Sequence, residues 1–457
     1  MSNYSKYLPA LREALVKLDD WRSSFGKVPD ERFGPGLVET SRLLDQFRLE
    51  LQGCYPFHHP SYAGQMLKPP HPAAWAASAL AMTVNPNNHA LDGGPATAAM
   101  ERESIRQIAS MAGFGKQAIG HLTAGGSMAN LEALWVAREE RPDKMIAFSG
   151  DAHYTHARLC RLLQVETFRV PETDRDEPDF DAFEQVAGRV GTLVVTMGTT
   201  GTGRVEPLHR WLELAGRYGF RIHADAAYGG FFKLIAGEGG IDPLPWESLG
   251  EADSVVIDPH KHGLQPYGCG SVIFRDPAVG RHFSHDSPYT YFTSEELHPG
   301  ELTLECSRSG AAAAALWFTL QLIPLTREGL GERLLASRRA ALALADGIDR
   351  SEHFQLFCTP ELDIVTWFPR PQIMTTRSVS ELSKRILQNG MRDRKQPLYL
   401  SLFSMDANRF SNMHPDVESD SSEVALLRSV LMKPEHELFV EELLNRLNDL
   451  YDRSAAG

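Results

Sequence analysis

The sequence predicts an α/β protein in which a large domain built on a mixed, mostly parallel sheet is followed by a smaller C-terminal α+β domain. Between about Lys144 and Phe274, strand-like runs rich in valine and isoleucine alternate with helix-like segments, which is the order of a mostly parallel sheet covered by helices. Beyond Leu330, helices and strand-like runs follow in a different order, typical of an α+β unit. With 457 residues the chain is also too long for one simple core.

Composition narrows the function classes. The chain is 42% hydrophobic and 23% charged, as in soluble globular proteins, and its formal net charge is −13. An acidic body argues against nucleic acid or an anionic membrane as the main partner. No signal-peptide core and no apolar run of about 18 residues occur, so a cytoplasmic protein without a membrane span is expected. The five scattered cysteines contain no CxxC pair, which predicts free thiols and no metal site.

The first 58 residues predict an N-terminal helical arm. Two amphipathic patterns lie between Lys6 and Leu51 and are separated by a stretch rich in proline and glycine. Such an arm is expected to pack on a partner subunit. The large domain is then assigned to residues 59–330, and it begins with a loop rich in proline, histidine and aromatic residues before two long helices.

A glycine-containing turn follows the first strand-like run of the large domain. Gly125, Gly126 and Ser127 precede an amphipathic helix. Free backbone N–H groups and the helix dipole make such a turn an anion site when glycines let a phosphate approach. A Gly-Ser pair also caps helices that bind no ligand, so the turn alone leaves both interpretations open.

The residues 223–270 hold the most informative pair of groups. Asp225 follows one apolar run and Lys261 follows another, and in a parallel sheet ligands bind beyond the carboxyl ends of the strands. His153, Thr199 and Thr200 also follow apolar runs. A carboxylate facing a ring nitrogen and an amine able to form an imine are the groups by which proteins hold pyridoxal phosphate (PLP). The alternative is a helix-capping aspartate and a solvated lysine.

The C-terminal domain is assigned to residues 331–457. It holds a helix, two strand-like runs, a second helix, further strand-like runs and a final helix. The segment 405–423, rich in serine and aspartate, predicts a surface loop.

Four blocks of sequence resemble the group II PLP-dependent decarboxylases, relatives of glutamate and aromatic amino acid decarboxylase. The blocks are HPSYAGQM, TAGGSMANLEAL, HADAAYGG with DPHK, and LRSVLMKP. Their order and spacing fit from about His59 to Leu447. The resemblance implies PLP-dependent transferase fold type I, the cofactor pyridoxal 5'-phosphate, and a homodimer with shared active sites.

The resemblance also implies roles for cofactor-binding residues. Lys261 would form the Schiff base with the cofactor, and His260 would contact the phosphate. Asp225 would pair with the pyridine nitrogen, Ala227 would pack under the ring, and His153 would stack on its other face. The phosphate loop and the segment beneath the cofactor would be formed by Gly126, Ser127, Met128 and Thr200, the last together with Thr199.

Substrate contacts are implied at two positions. Arg428 matches an arginine that holds the substrate carboxylate in glutamate decarboxylase, a role suited to a guanidinium; the alternative is a structural strand arginine. Gln65 matches a substrate-contacting glutamine. His156, three residues after His153, is interpreted as a histidine on a helix surface.

One departure from the family concerns the acid that returns a proton to the substrate. The family places a tyrosine on a loop, whereas the matching place here holds Leu297 beside His298, with Tyr289 and Tyr291 nearby. His298 is the candidate acid, because an imidazole titrates near neutrality. The expected reaction is decarboxylation of an L-amino acid to an amine and CO2. Alternatives are another fold-type-I reaction (carbon–carbon lyase, aldolase, aminotransferase or oxidative deamination) and a catalytically silent binding protein.

Overall fold

The computed structural model describes residues 4–26, 36–173, 177–283 and 302–455. The helices are α1 (Leu8–Ser23), α2 (Leu37–Leu51), α3 (Pro72–Met82), α4 (Pro95–Ala112), α5 (Gly126–Glu140), α6 (Thr155–Leu162), α7 (Phe180–Glu184), α8 (Leu208–Tyr218), α9 (Leu244–Glu247), α10 (Gly310–Leu322), α11 (Glu332–Asp349), α12 (Thr376–Arg392), α13 (Ala407–Met413) and α14 (Val440–Ala455). The strands are β1 (Ile119–Thr123), β2 (Met145–Ser149), β3 (Thr167–Val170), β4 (Val190–Thr196), β5 (Arg221–Asp225), β6 (Ser254–Ile257), β7 (Gly270–Phe274), β8 (Phe354–Leu356), β9 (Ile364–Pro369), β10 (Ser401–Asp406) and β11 (Glu423–Val430).

The larger sheet has seven strands in the order β1-β7-β6-β5-β4-β2-β3. Neighbours from β6 to β3 pair in parallel, whereas β7 runs antiparallel to both β6 and β1. Every residue of β2, β4, β6 and β7 is buried, as expected when helices cover both faces of a parallel sheet. The predicted mixed, mostly parallel sheet is confirmed.

The C-terminal unit contains a separate four-stranded antiparallel sheet in the order β10-β11-β9-β8. Helices α11 and α12 pack against it, and α14 packs on these two helices, within a second apolar core. The surface-loop prediction for residues 405–423 is wrong in part. Within it lies α13, whose first turn is capped by the Asp406 carboxylate accepting from the Arg409 N–H at 2.9 Å, and whose Phe410 is fully buried. The domain boundaries at residues 58 and 330 stay predictions.

Helices α1 and α2 lie where the sequence predicts two amphipathic helices, and they bury none of their residues. On α2 the exposed fractions of Leu37, Val38 and Leu44 are 85%, 87% and 60%. Singly exposed apolar residues are common, whereas a helix with this many is typical of an interface. Among the described helices, none is long and apolar enough to cross a membrane.

A buried ion pair joins the segment before α10 to α4 and β1. The Arg308 guanidinium donates to the Glu101 carboxylate at 2.5 Å and to the carbonyl oxygens of Leu122 and Asn88 at 2.8 and 3.0 Å. The Arg308 and Glu101 side chains are 6% and 1% exposed. The pair therefore fixes the start of α10 against the edge of the large sheet.

Replacing Arg308 with methionine is expected to lower the free energy of unfolding by about 3–5 kcal/mol, because the Glu101 carboxylate is left buried without its cation. Urea unfolding followed by circular dichroism measures the change. The double variant Arg308→Met with Glu101→Met should recover most of it, since no unpaired charge remains. A single variant as stable as the wild type would contradict the assignment.

Candidate active site

A cavity of about 220 Å³ lies at the carboxyl ends of the parallel strands. Eight of the predicted site residues line it: Gly126, Ser127, His153, Thr200, Asp225, Ala227, His260 and Lys261. They come from segments that are distant in sequence and follow β1, β2, β4, β5 and β6. The structure therefore brings most of the predicted cofactor-binding residues together, at the edge where the sheet topology places ligands.

Asp225 is the last residue of β5 and is 6% exposed. Its Oδ2 lies 2.7 Å from Nε2 of His156, and its Oδ1 accepts from the Ala227 N–H at 3.2 Å. Burial raises the pKa of this carboxyl, but the hydrogen bond from His156 and the charge of Lys261 oppose it, so the pKa lies well below its ordinary value. Asp225 is therefore a carboxylate at neutral pH.

Lys261 lies four residues after the end of β6, in a turn closed by its N–H donating to the Asp258 carbonyl at 3.0 Å. Its Nζ lies 3.2 Å from Oδ2 of Asp258. Asp258 is 1% exposed, and its Oδ1 has no hydrogen-bond partner among the described residues. The sequence interpretation assigned no role to Asp258, although the spacing of three residues in DPHK brings an acid and an amine together.

The start of α5 forms the anion-binding end of the cavity. Gly125 has φ +151°, a conformation that disfavours a side chain, and a Cβ on Gly126 would collide with the Asp258 carboxylate. The N–H groups of Gly126 and Ser127 have no acceptor in the described part of the chain, as is usual at a helix N-terminus. The Met128 N–H instead donates to the Gly125 carbonyl at 3.0 Å, and Met128 does not line the cavity.

His153 and His260 lie at the wall of the cavity. Nδ1 of His153 lies 2.5 Å from the Thr155 hydroxyl, which donates to it when the proton is on Nε2. Burial lowers the pKa of His153 more than the charge of Asp225 raises it, so the imidazole is neutral. Nδ1 of His260 lies 2.9 Å from the Cys269 carbonyl oxygen, and its Nε2 lies 3.8 Å from Oδ2 of Asp258.

Arg428 and Gln65 contact each other but do not line this cavity. The Arg428 guanidinium, 5% exposed, donates to the Thr200 carbonyl at 2.5 Å, to the Ser401 hydroxyl at 3.0 Å and to Oε1 of Gln65 at 3.0 Å. A longer contact of 3.3 Å reaches the Gly64 carbonyl. Four of its five N–H groups are thus already engaged within the protein.

The surface interpretation of His156 is wrong. The side chain is fully buried, contacts Asp225 and does not line the cavity. The sequence signal was present as the spacing of two histidines in HYTH, but burial depends on how α6 packs on the sheet, which the local pattern does not specify. The candidate acid His298, with Leu297, Tyr289 and Tyr291, lies outside the described residues.

The donor set fits PLP. Two free N–H groups at a helix start suit a phosphate, a buried carboxylate suits a protonated ring nitrogen, and a primary amine suits the aldehyde. The neutral His153 and the small Ala227 border the same cavity. The absence of a side chain at Gly125 and Gly126 leaves the phosphate end open.

Comparisons with known proteins agree with this donor set. A family model described as the pyridoxal-dependent decarboxylase conserved domain matches residues 43–368, more than half of the chain. L-tyrosine decarboxylase of Enterococcus faecium is 26% identical over 514 aligned positions, covering 84% of this chain and 83% of the relative.

Two solved structures share the fold. Mouse CSAD has a TM-score of 0.77 and 19% identity, covering 94% of this chain and 91% of that chain. Oryza sativa TDC, solved with PLP and tryptamine, has a TM-score of 0.77 and 16% identity, covering 96% and 98%. The predicted fold type I is confirmed by these likenesses. The chain belongs to the pyridoxal-dependent decarboxylase family, whose members are carboxy-lyases that use PLP.

Proposed function

We propose that this chain decarboxylates an L-amino acid to the corresponding amine and CO2, with Lys261 as the residue that bonds covalently to PLP. One observation carries the proposal: the Lys261 amine and the Asp225 carboxylate, which follow neighbouring parallel strands, line a single cavity of about 220 Å³. A solvated lysine and a capping aspartate would have no reason to converge there.

The other lining residues have separate tasks in this proposal. The N–H groups of Gly126 and Ser127, with His260, would bind the phosphate. Ala227 and the neutral His153 would border the two faces of the ring, and Thr200 would lie beneath it. The Met128 N–H is already bonded to Gly125, so Met128 would support the turn without donating to the phosphate.

When bound, PLP supplies a protonated ring that accepts the electron pair left on the α-carbon as CO2 departs. The task of Asp225 is to keep a proton on the ring nitrogen, which needs a carboxylate that stays ionised in a buried place. His153 excludes water from one face of the cavity. His298 is proposed as the acid that protonates the α-carbon, since an imidazole exchanges protons near neutral pH.

Arg428 and Gln65 are proposed to contact the substrate. The Arg428 guanidinium has one N–H without an acceptor among the described residues, and a second one now binds Oε1 of Gln65 at 3.0 Å. A substrate carboxylate would replace the Gln65 oxygen and take both N–H groups. The rest of the Arg428 contacts hold the guanidinium in position for this exchange.

A cytoplasmic homodimer is part of the same proposal. The exposed apolar residues of α1 and α2 support the homodimer, because a partner subunit would remove them from water. Sedimentation of the full chain and of a variant lacking residues 1–51 measures the contribution of the arm.

A substrate panel tests the reaction. The purified PLP-loaded enzyme is incubated with acidic, aromatic and basic L-amino acids, while CO2, amine, aldehyde and ammonia are measured. Equimolar amine and CO2 from at least one amino acid is the expected result. Cleavage without CO2 would identify a carbon–carbon lyase, and aldehyde with ammonia would identify oxidative deamination; either outcome contradicts simple decarboxylation. Failure of the purified protein to bind PLP would contradict the proposal that it is a PLP-dependent enzyme.

A further inference from the structure

His156 contacts Asp225 but does not line the cavity that Lys261 lines, and none of the roles assigned so far falls to it. It is the second residue of α6, its side chain is fully buried, and its Nε2 lies 2.7 Å from Oδ2 of Asp225. The Ala227 N–H occupies the other oxygen at 3.2 Å. Each oxygen of Asp225 therefore has one donor from the protein, which fixes the carboxylate plane.

The surroundings of His156 define where its proton lies. Nδ1 of His156 is buried and has no acceptor within the described ranges. A proton on Nδ1 would thus be an unsatisfied buried donor, which is costly. The proton belongs on Nε2, where it is donated to Asp225.

The ring of His156 is held in this orientation by two neighbours. The Phe148 ring lies at 6.3 Å and the His223 ring at 6.4 Å, measured between centroids. His223 is itself fixed by Ser254 at 2.9 Å and Asn130 at 2.8 Å. Burial lowers the pKa of His223 to about 3, so His223 adds no charge.

We propose that His156 is a positioning residue that keeps Asp225 ionised and aimed into the cavity, and so keeps the proton on the ring nitrogen of the cofactor. The inference rests on the proposed function. Besides His156, the titratable groups that face Asp225 are His153, His223 and Lys261. Both histidines are neutral, so Lys261 is the cation beside Asp225. A covalent bond from Lys261 to the cofactor would leave the His156 donor as the main protein group that stabilises the carboxylate.

The test compares His156→Leu with His156→Gln. Glutamine places an amide N–H near the Nε2 position, whereas leucine has no donor. PLP is first removed from the enzyme. The first measurement is the dissociation constant for added PLP. The second is the 15N chemical shift of the ring nitrogen of 15N-labelled PLP, which reports whether that nitrogen is protonated. We expect His156→Leu to raise the dissociation constant about ten-fold or more and to shift the ring nitrogen towards its unprotonated value. His156→Gln should stay within about three-fold of the wild type with a protonated nitrogen.

His121 provides a matched control. Its Nε2 lies 2.7 Å from Oε2 of Glu132, both side chains are fully buried, and its Nδ1 is also without a described partner. This pair joins β1 to α5 outside the cavity. Both His121→Leu and His156→Leu remove the donor to a buried carboxylate, so both should destabilise the fold. His121→Leu should nevertheless leave both PLP readouts unchanged.

Each outcome decides the inference. If His156→Leu keeps the wild-type affinity and ring protonation, or if His121→Leu reproduces its changes, His156 is only structural. If His156→Leu does not fold, His156→Asn replaces it, because the asparagine amide is too short to reach Asp225 and should behave like leucine. If borohydride fails to link PLP to Lys261 in the wild type, the proposed function is overturned. If PLP is linked to Lys261 but His156→Leu has the PLP affinity and ring protonation of the wild type, only the inference about His156 is overturned.

Discussion

Lys261→Ala is expected to abolish covalent attachment of PLP and to lower kcat/KM by roughly a thousand-fold or more, because no other amine is in place to form the bond. Among the described residues, Lys261 is the lysine that lines the cavity. Borohydride reduction of the PLP-loaded enzyme, followed by peptide mass analysis, measures the attachment. The wild type should carry the added mass on the peptide with Lys261, and the variant should carry none.

Lys144 is a suitable control for this variant. It is exposed, and its Nζ donates to the Gly188 carbonyl at 2.7 Å, far from the cavity. Lys144→Ala should keep wild-type labelling and activity. A Lys261→Ala enzyme that retains a tenth of the activity, or labelling at another lysine in the wild type, would show that the amine has been misassigned.

The contact between Lys261 and Asp258 means that Lys261→Ala also affects stability, and a second substitution at Asp258 separates this effect from the loss of chemistry. Asp258 is nearly fully buried, with Lys261 Nζ at 3.2 Å as its cation. Removing Lys261 leaves the buried Asp258 carboxylate without its nearer cation, which destabilises the fold. The double variant Lys261→Ala with Asp258→Asn removes this charge. Its stability should return towards the wild type while labelling and activity stay absent, so loss of chemistry and loss of folding are separated.

The sequence predicted features that depend on local pattern. Alternating strands and helices predicted the large sheet, and because parallel strands end at one edge, Asp225 and Lys261 were expected to meet there. The glycine pair at the start of α5 indicated an anion site because glycines let a phosphate approach the free N–H groups of a helix N-terminus. Burial, in contrast, depends on packing between distant segments. His156 was interpreted as a surface residue although Leu159 and Cys160, on the same face of α6, are apolar. Its contact with Asp225 spans 69 positions, which the local pattern does not specify.

Two further features needed the structure. The acid of Asp258 and the amine of Lys261 share a turn, but Asp258 is buried, and Gly126 on another segment packs against its carboxylate. Helix α13 begins in a serine- and aspartate-rich segment that favours loops, yet the Asp406 cap and the buried Phe410 stabilise it. In both places long-range packing overrides what the local composition favours.

Asp225→Asn is expected to lower kcat/KM by roughly a hundred-fold or more, because asparagine keeps the shape of the side chain and removes the charge that holds a proton on the ring nitrogen. In the wild type, His156 donates to one oxygen of Asp225 and the Ala227 N–H donates to the other. An asparagine has one oxygen, so one of the two donors also loses its acceptor. Asp253→Asn is the control, since Asp253 accepts from the Ile222 N–H at 2.8 Å at the other end of the strands.

The loss in Asp225→Asn should be the same across the neutral pH range. The pKa of Asp225 is lowered relative to its ordinary value, so the carboxylate is ionised in the native wild type from about pH 5 upward. A carboxyl with a lowered pKa stabilises the fold above its unfolded pKa and loses that contribution as pH falls through the folded pKa. Profiles of kcat/KM for wild type and variant from pH 6 to 9 should therefore run parallel. Profiles that converge towards pH 6 would mean that Asp225 takes up a proton there, and that the His156 contact does not hold it ionised.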